Sequence, residues 1–213
     1  MKIKGAIFDL DGTLLDSMHA WDGVGERYLK SKGIQASPAL QSEIESMSLV
    51  ESCAYVKEQY HLDESTDEIL DGILRIVESF YFENAQLKDG VGEFLANLNN
   101  MGVKMCVATA TDKTLAEAAL RRNKVIDYFD SILTCGELGC NKTTAQIYNK
   151  ALEAIGTQKD NTVVFEDAYH AVCSAKADGF VVCGVYDESE KKQLKDVCDF
   201  YIKSFFEAGE YFD

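Results

Sequence analysis

The chain is short of positive charge. Its 213 residues hold 21 Lys plus Arg against 36 Asp plus Glu, a formal net charge of -15. A field of that sign repels polyanions, so no nucleic acid and no anionic membrane surface is expected as a partner. It also repels a phosphorylated small molecule at long range, and such a ligand would need cations gathered locally. Long apolar runs are missing too. The N-terminal run is broken at Asp9, too early for a signal peptide. No other run approaches the ~18 residues of a membrane helix, so a cytoplasmic location is the default expectation. No Cys-x-x-Cys pair occurs. The seven cysteines are odd in number, and several lie in apolar runs such as MCVATA and FVVCGV. They read as small buried hydrophobes in a reducing compartment rather than as a disulfide framework. Proline is almost absent: Pro38 is the single one, and neither a low-complexity linker nor an internal repeat is found.

What is present is a core. At 46% hydrophobic, the chain can bury one ordinary domain, or one domain with a smaller insert. Short apolar runs at Lys4–Phe8, Val103–Thr109, Ser131–Thr134, Thr162–Phe165, Phe180–Val185 and Phe200–Ile202 read as strands. They are continuous rather than alternating, which suits a parallel sheet covered on both faces. Helical patterns fall between them at Val91–Asn100, Thr114–Asn123, Ala145–Ile155, Ala168–Ala177 and Glu190–Val197. That alternation predicts an α/β, doubly wound parallel sheet with right-handed crossovers. Residues 17–84 break the rhythm with four helical patterns and no strand: Met18–Lys32, Ala39–Met47, Val50–Gln59 and Thr66–Asn84. Ser65 or Thr66 can cap the last of these, with Glu68 following. The expected division is a sheet domain of residues 1–16 and 85–213 with an all-helical insert of residues 17–84. The crossings are expected near Leu14–Ser17 and Ala85–Asp89.

In such sheets ligands bind beyond the carboxyl ends of the strands. The first strand ends at Asp9, within FDLDGTLLDS. In an extended chain Asp9 and Asp11 point to the same side, and Gly12 then lets the backbone turn. Two carboxylates so placed hold one group protonated unless a cation intervenes. Magnesium is a hard cation held by one or two carboxylates, waters and phosphate oxygens. One carboxylate of such a pair can attack phosphorus while the other gives its proton to the leaving oxygen. Later strands end in groups suited to phosphate. Thr109-Ala110-Thr111-Asp112 offers a hydroxyl and backbone N–H groups before a helix, Lys142 starts the helix after the third strand, and Glu166-Asp167 adds two acids at the same rim. Each has an ordinary reading as a cap, a surface charge or a strand end. Their joint position at successive strand ends favours a site.

FDLDGTLLDS resembles the first motif of the haloacid dehalogenase superfamily of aspartate-nucleophile phosphohydrolases. CVATAT resembles its second motif, NKTTAQIYNKALEAIG its third and VVFEDAYHAVCSAKADGF its fourth, in the right order along essentially the whole chain. The insert is similar to the small helical cap of the subgroup that includes phosphoglycolate phosphatases and beta-phosphoglucomutases, on a Rossmann-like core. The resemblance implies Asp9 as nucleophile and Mg2+ ligand. It implies Asp11 as general acid and then base, with its backbone carbonyl on the metal. Thr109, the Ala110 N–H and Lys142 would hold the phosphoryl group, Asp167 would bind metal, and Glu166 would act through a neighbouring group or water. Ser17 and Trp21 are candidate substrate contacts. The sequence departs from the pattern in its third motif, where Thr143, Ala145 and Gln146 stand in places usually held by proline, proline and aspartate. Asp89 replaces a proline before a helix, where it can act as an N-cap.

The implied activity is Mg-dependent hydrolysis of a small phosphate monoester, such as a sugar phosphate, through an aspartyl-phosphate. A phosphosugar mutase of the beta-phosphoglucomutase type is the alternative. It would be expected to carry a histidine just after the first motif and an arginine in the second cap helix, and Trp21 and about Leu49 stand there instead, with His19 displaced. A lesser alternative is a catalytically silent member that binds a phosphorylated ligand or a partner. His170 is read as facing solvent, and Asp16 as part of the crossing.

Overall fold

In the computed structural model, residues 1–44, 47–190 and 192–212 are described. The run GAIF forms β1 (Gly5–Phe8). The other strands are β2 (Leu15–Asp16), β3 (Gln86–Leu87), β4 (Lys104–Thr109), β5 (Ser131–Thr134), β6 (Thr162–Glu166), β7 (Val181–Val185) and β8 (Phe200–Ile202). The α-helices are α1 (Val24–Ser31), α2 (Leu40–Ile44), α3 (Leu49–Tyr60), α4 (Thr66–Glu83), α5 (Val91–Asn100), α6 (Lys113–Arg122), α7 (Cys135–Leu138), α8 (Gln146–Ile155) and α9 (Tyr169–Ala177).

Six strands make one sheet in the order β5-β4-β1-β6-β7-β8, and every pairing in it is parallel. The doubly wound α/β class is therefore the observed one. β1 lies at the centre between β4 and β6, the place where such a fold presents ligands. Successive residues of each strand face opposite sides, so both faces carry apolar side chains. On one face Ile7, Cys106, Val164 and Val182 pack with Ile147, Tyr148 and Ala151 of α8 and Val172 of α9. On the other, Phe8 stacks on Phe165 with ring centroids 4.6 Å apart. Phe94, Phe205 and Phe212 surround that pair.

The chain divides into two compact units, Met1–Met18 with Ala85–Asp213, and His19–Asn84. In the first unit, β2 pairs antiparallel with β3 through Leu15–Leu87 and Asp16–Gln86, so a short ribbon stands at the two crossings. In the second, α3 and α4 each begin with a reciprocal capping box, Ser48 with Glu51 and Ser65 with Glu68.

Several expected elements differ. The helix expected over Met18–Lys32 is a 3-10 turn at Met18–Trp21 followed by α1. Gly23, with φ at 59°, breaks it, a conformation glycine adopts without steric cost. The helix expected over Ala39–Met47 is observed as α2, and its residues 45–46 lie outside the described residues. The helix expected over Glu190–Val197 is only a 3-10 turn at Leu194–Asp196, with residue 191 outside the described residues. Asp89 does not cap α5: Gly90 is the N-cap with no side-chain bond. The Asp89 carbonyl instead accepts from the Phe205 N–H at 3.0 Å.

Candidate active site

β1 delivers Asp9 to the sheet's C-terminal rim, and its N–H donates to the Phe165 carbonyl of neighbouring β6 at 2.9 Å. The next residues form a closed turn. The Leu10 carbonyl accepts from the N–H groups of Leu14 (2.9 Å) and Leu15 (2.8 Å), and the Gly12 N–H donates to the Leu15 carbonyl (2.9 Å). Gly12 has φ of 77°, and a Cβ there would stand 2.3 Å from Asp167 Oδ2, so any side chain would collide with the Asp167 carboxylate. The turn thus brings the first strand's acids against the acid that follows β6.

Four charged groups meet here. Asp9, Lys142, Glu166 and Asp167 are all buried. The Lys142 ammonium donates to Asp9 Oδ1 and to Glu166 Oε1 at 2.8 Å. Lys142 does not start a helix as expected. It lies in the turn between α7 and α8, and its carbonyl accepts from the Ser174 hydroxyl of α9 at 2.8 Å. Glu166 also accepts from the Tyr148 hydroxyl at 3.0 Å and from the Asp167 N–H at 2.8 Å. Burial and the Glu166 charge push the Asp9 carboxyl up to about 7, against the pull of Lys142. Burial, then Glu166 and Asp9, raise Asp167 well above the carboxylate range, opposed by a hydrogen bond from Thr13. Burial disfavours the charge on Lys142, but Asp9 and Glu166 together outweigh it and keep the ammonium protonated.

Asp9, Glu166 and Asp167 each offer an oxygen within 4.8 Å of the others. Three buried carboxylates against one ammonium are under-neutralised, and hard oxygen donors at this spacing suit a divalent cation. The donor set therefore fits a metal ion of that kind.

Asp11 is half-buried beside this cluster. Its Oδ1 accepts from the Ser17 hydroxyl at 2.6 Å and its Oδ2 from the Thr111 hydroxyl at 2.5 Å. It is near enough for its charge to contribute to the rise at Asp9. Thr109 is fully buried, and its Oγ1 accepts from the Thr111 N–H at 2.9 Å. Ala110 is exposed at the end of β4. Asp112 caps α6 by accepting from the Thr114 N–H at 2.8 Å. Trp21 and His19 belong to the helical unit, where Trp21 is exposed and His19 meets the Phe80 ring edge-on. His170 is exposed on α9, and Asp16 is exposed in the β2–β3 ribbon.

Sequence reasoning missed three participants: Thr13, whose hydroxyl donates to Asp167 Oδ1 at 2.7 Å, Tyr148 and the Thr111 side chain. Thr13 directly follows the Gly12 turn, so its place was the one local signal available. Tyr148 reads as an apolar position of an amphipathic helix.

The chain belongs to the haloacid dehalogenase-like hydrolases, whose family model matches residues 6–185, and it is an enzyme of that hydrolase family. Among its relatives is the validoxylamine A 7'-phosphate phosphatase of Streptomyces hygroscopicus subsp. limoneus, 25% identical over 96% of this chain and 95% of the relative. The phosphorylated carbohydrates phosphatase of Thermotoga maritima is 25% identical over 83% of this chain and 82% of its own length. Of solved structures, one described as a beta-phosphoglucomutase from Thermotoga maritima shares the fold with a TM-score of 0.83, 24% identity and 94% of both chains covered. CbbY from Rhodobacter sphaeroides, in complex with phosphate, has a TM-score of 0.72 and 20% identity over 97% of this chain and 96% of its own. No helix among the described residues is long and apolar enough to cross a membrane.

Proposed function

We propose that the protein is a magnesium-dependent phosphatase that hydrolyses a small phosphate monoester, a sugar phosphate or similar metabolite, through an aspartyl-phosphate on Asp9. The observation that carries this reading is the buried Asp9–Lys142–Glu166–Asp167 cluster at the sheet's rim, with Asp11 two residues beyond Asp9. The relatives named for phosphorylated carbohydrates and for validoxylamine A 7'-phosphate, together with a hexitol phosphatase B of Escherichia coli, support the substrate class. We assign the family's small helical cap to residues 17–84.

Asp9, Asp167 and the main-chain carbonyl of Asp11 would hold the ion, with Glu166 beside them, and magnesium when bound supplies positive charge to the phosphoryl oxygens. Lys142 adds a fixed ammonium, and these cations offset the protein's anionic field locally. The Thr109 hydroxyl oxygen already accepts a bond, so its own proton is left to donate to a phosphoryl oxygen, beside the Ala110 N–H. A carboxylate oxygen of Asp9 attacks phosphorus. The ester P–O bond breaks, and the leaving oxygen takes the proton of the Asp11 carboxyl group. Asp11, now a carboxylate, takes a proton from water, whose oxygen attacks the same phosphorus. The bond to Asp9 then breaks and inorganic phosphate leaves. The hydroxyls of Ser17 and Thr111 can each donate or accept, so they hold Asp11 in both of its protonation states. Ser17, buried with its hydroxyl on Asp11, is on this account a support of the acid, and Trp21 stays the proposed substrate contact of the helical unit.

The test is release of phosphate from para-nitrophenyl phosphate and a sugar-phosphate panel with Mg2+, compared with Asp9→Asn. Turnover that disappears in the variant supports the reading. Isomerisation of a hexose phosphate without phosphate release would make it a mutase. A folded, metal-binding protein with no turnover on the panel would make it a silent binder.

A further inference from the structure

Lys88 follows β3 and enters none of the chemistry above. Its side chain is only 16% exposed, and its ammonium pairs with an Asp187 side chain that is 5% exposed. The three ammonium protons have three acceptors: the Gly12 carbonyl at 2.7 Å, the Tyr186 carbonyl at 2.6 Å and Asp187 Oδ2 at 2.9 Å. The Lys88 N–H also donates to the Leu14 carbonyl at 2.9 Å. One residue therefore grips the turn after Asp9 twice, at Gly12 and at Leu14, and anchors it to the end of β7.

The place of the grip matters. The Gly12 carbonyl belongs to the peptide joining Gly12 to Thr13. Asp11 precedes that peptide, and the Thr13 hydroxyl that follows it holds Asp167. Rotation of this one peptide would move Asp11 and loosen Asp167 together. Its N-terminal side is fixed by the Gly12 N–H on Leu15, and its carbonyl by the Lys88 ammonium. A lysine doing this work differs from a surface ion pair, because two of its three partners are backbone carbonyls.

We propose that Lys88 is a positioning residue for the phosphatase reaction, holding the Gly12–Thr13 peptide so that Asp11 and Asp167 keep their places. This rests on the hydrolase reading above. The distinguishing variants are Lys88→Met, which keeps the length and removes the donors, Lys88→Arg, which restores donors and charge, and Asp187→Asn, which removes the ion pair but leaves the grip on Gly12.

With para-nitrophenyl phosphate and Mg2+, Lys88→Met is expected to lower kcat about tenfold with KM changed by less than about twofold, as displaced catalytic groups do. Lys88→Arg should recover part of the loss, and Asp187→Asn should stay within about twofold of wild type, since it leaves the peptide held. The second measurement uses no substrate. Amide hydrogen exchange at Gly12, Leu14 and Leu15 should speed up about tenfold in Lys88→Met while the amides of β1 stay protected. Unchanged exchange in Lys88→Met overturns the grip itself. Faster exchange with wild-type kcat overturns its part in the reaction, and so does an Asp187→Asn loss equal to that of Lys88→Met. If wild type and Asp9→Asn are equally inactive on all esters, the hydrolase reading has failed, and the exchange measurement alone decides the grip.

Discussion

The Thr13 hydroxyl donates to Asp167 Oδ1 at 2.7 Å, joining residues 154 positions apart in the chain. Both partners are buried. This bond, together with the Lys142 charge, opposes the burial and like charge that push the Asp167 carboxyl upward. Replacement by the near-isosteric Thr13→Val keeps the volume and removes the donor. Asp167 should then ionise less readily and bind a divalent cation less well. A loss of about 10- to 100-fold in Mg2+ affinity is expected, the usual cost of removing a partner that orients a metal ligand. Calorimetric titration of the metal measures it, and Thr13→Ser should restore affinity. Equal affinities in wild type and Thr13→Val would contradict this account of Asp167.

The pH dependence of metal-free protein follows from Asp9. Its carboxyl is raised from 3.8 to about 7 in the folded protein, first by burial and then by Glu166. A raised carboxyl favours the protonated form, so folding takes up a proton at this site. Its stabilising contribution is fully present below the unfolded value, falls as pH rises towards about 7, and changes no further above that. A cation must displace that proton, so its stabilising effect runs the other way. The gain in Tm on adding Mg2+ should be small at pH 5 and grow through pH 7. Melting curves in EDTA and in saturating Mg2+ across this range check it, and a metal-induced gain independent of pH would contradict it. On the same grounds EDTA should abolish phosphate release and Mg2+ restore it.

The parallel sheet was legible because its strands are continuous apolar runs bounded by polar residues, and β5 and β8 stand where that pattern put them. α5 likewise spans Val91–Asn100 as its periodicity predicts. The segment after β7 was misread because its helical pattern has one buried anchor among the described residues, Leu194, and its acids serve backbone N–H groups outside any helix ladder. Glu190 accepts from the N–H groups of Tyr169 and Lys192, and Asp187 from that of Ser189, which competes with helix formation. At the candidate site, Asp9, Glu166 and Asp167 could be gathered from their places at strand ends, and Lys142 from its place just ahead of the α8 pattern. The contacts that orient them could not. Thr111 reaches Asp11 across 100 positions, and Lys88 reaches Gly12 across 76. A hydroxyl or ammonium with a distant partner leaves no periodic trace in a sequence.

Asp11→Asn separates the two halves of the proposed reaction. Para-nitrophenolate is a stable leaving group that needs little help from an acid, whereas a sugar alkoxide needs the proton. The variant should form the aspartyl-phosphate from para-nitrophenyl phosphate and then stall, because no base activates water. Rapid mixing should show a burst of one nitrophenolate per protein and a steady rate lowered by about 10²- to 10⁴-fold, the range assigned to a general acid–base group. Sugar phosphates should show no burst. A steady rate equal to wild type would remove Asp11 from the mechanism.

Lys142 carries the sharpest stability prediction, because its charge is buried between two acids. Its ammonium bridges Asp9 and Glu166, and all three side chains are less than a tenth exposed. Lys142→Met keeps the aliphatic stem and leaves both carboxylates without their cation. Breaking a buried ion pair from one side costs about 3–5 kcal/mol, because the surviving charge stays desolvated. Urea denaturation in EDTA at pH 8, where Asp9 ionises, should show a loss of that order. At pH 5 the loss should shrink, since Asp9, raised to about 7, is then protonated and needs no partner. Saturating Mg2+ should also recover part of the loss at pH 8 by supplying the missing positive charge, without restoring turnover. A loss of stability equal at both pH values would mean that Lys142 is held by packing, and that its charge does not balance Asp9.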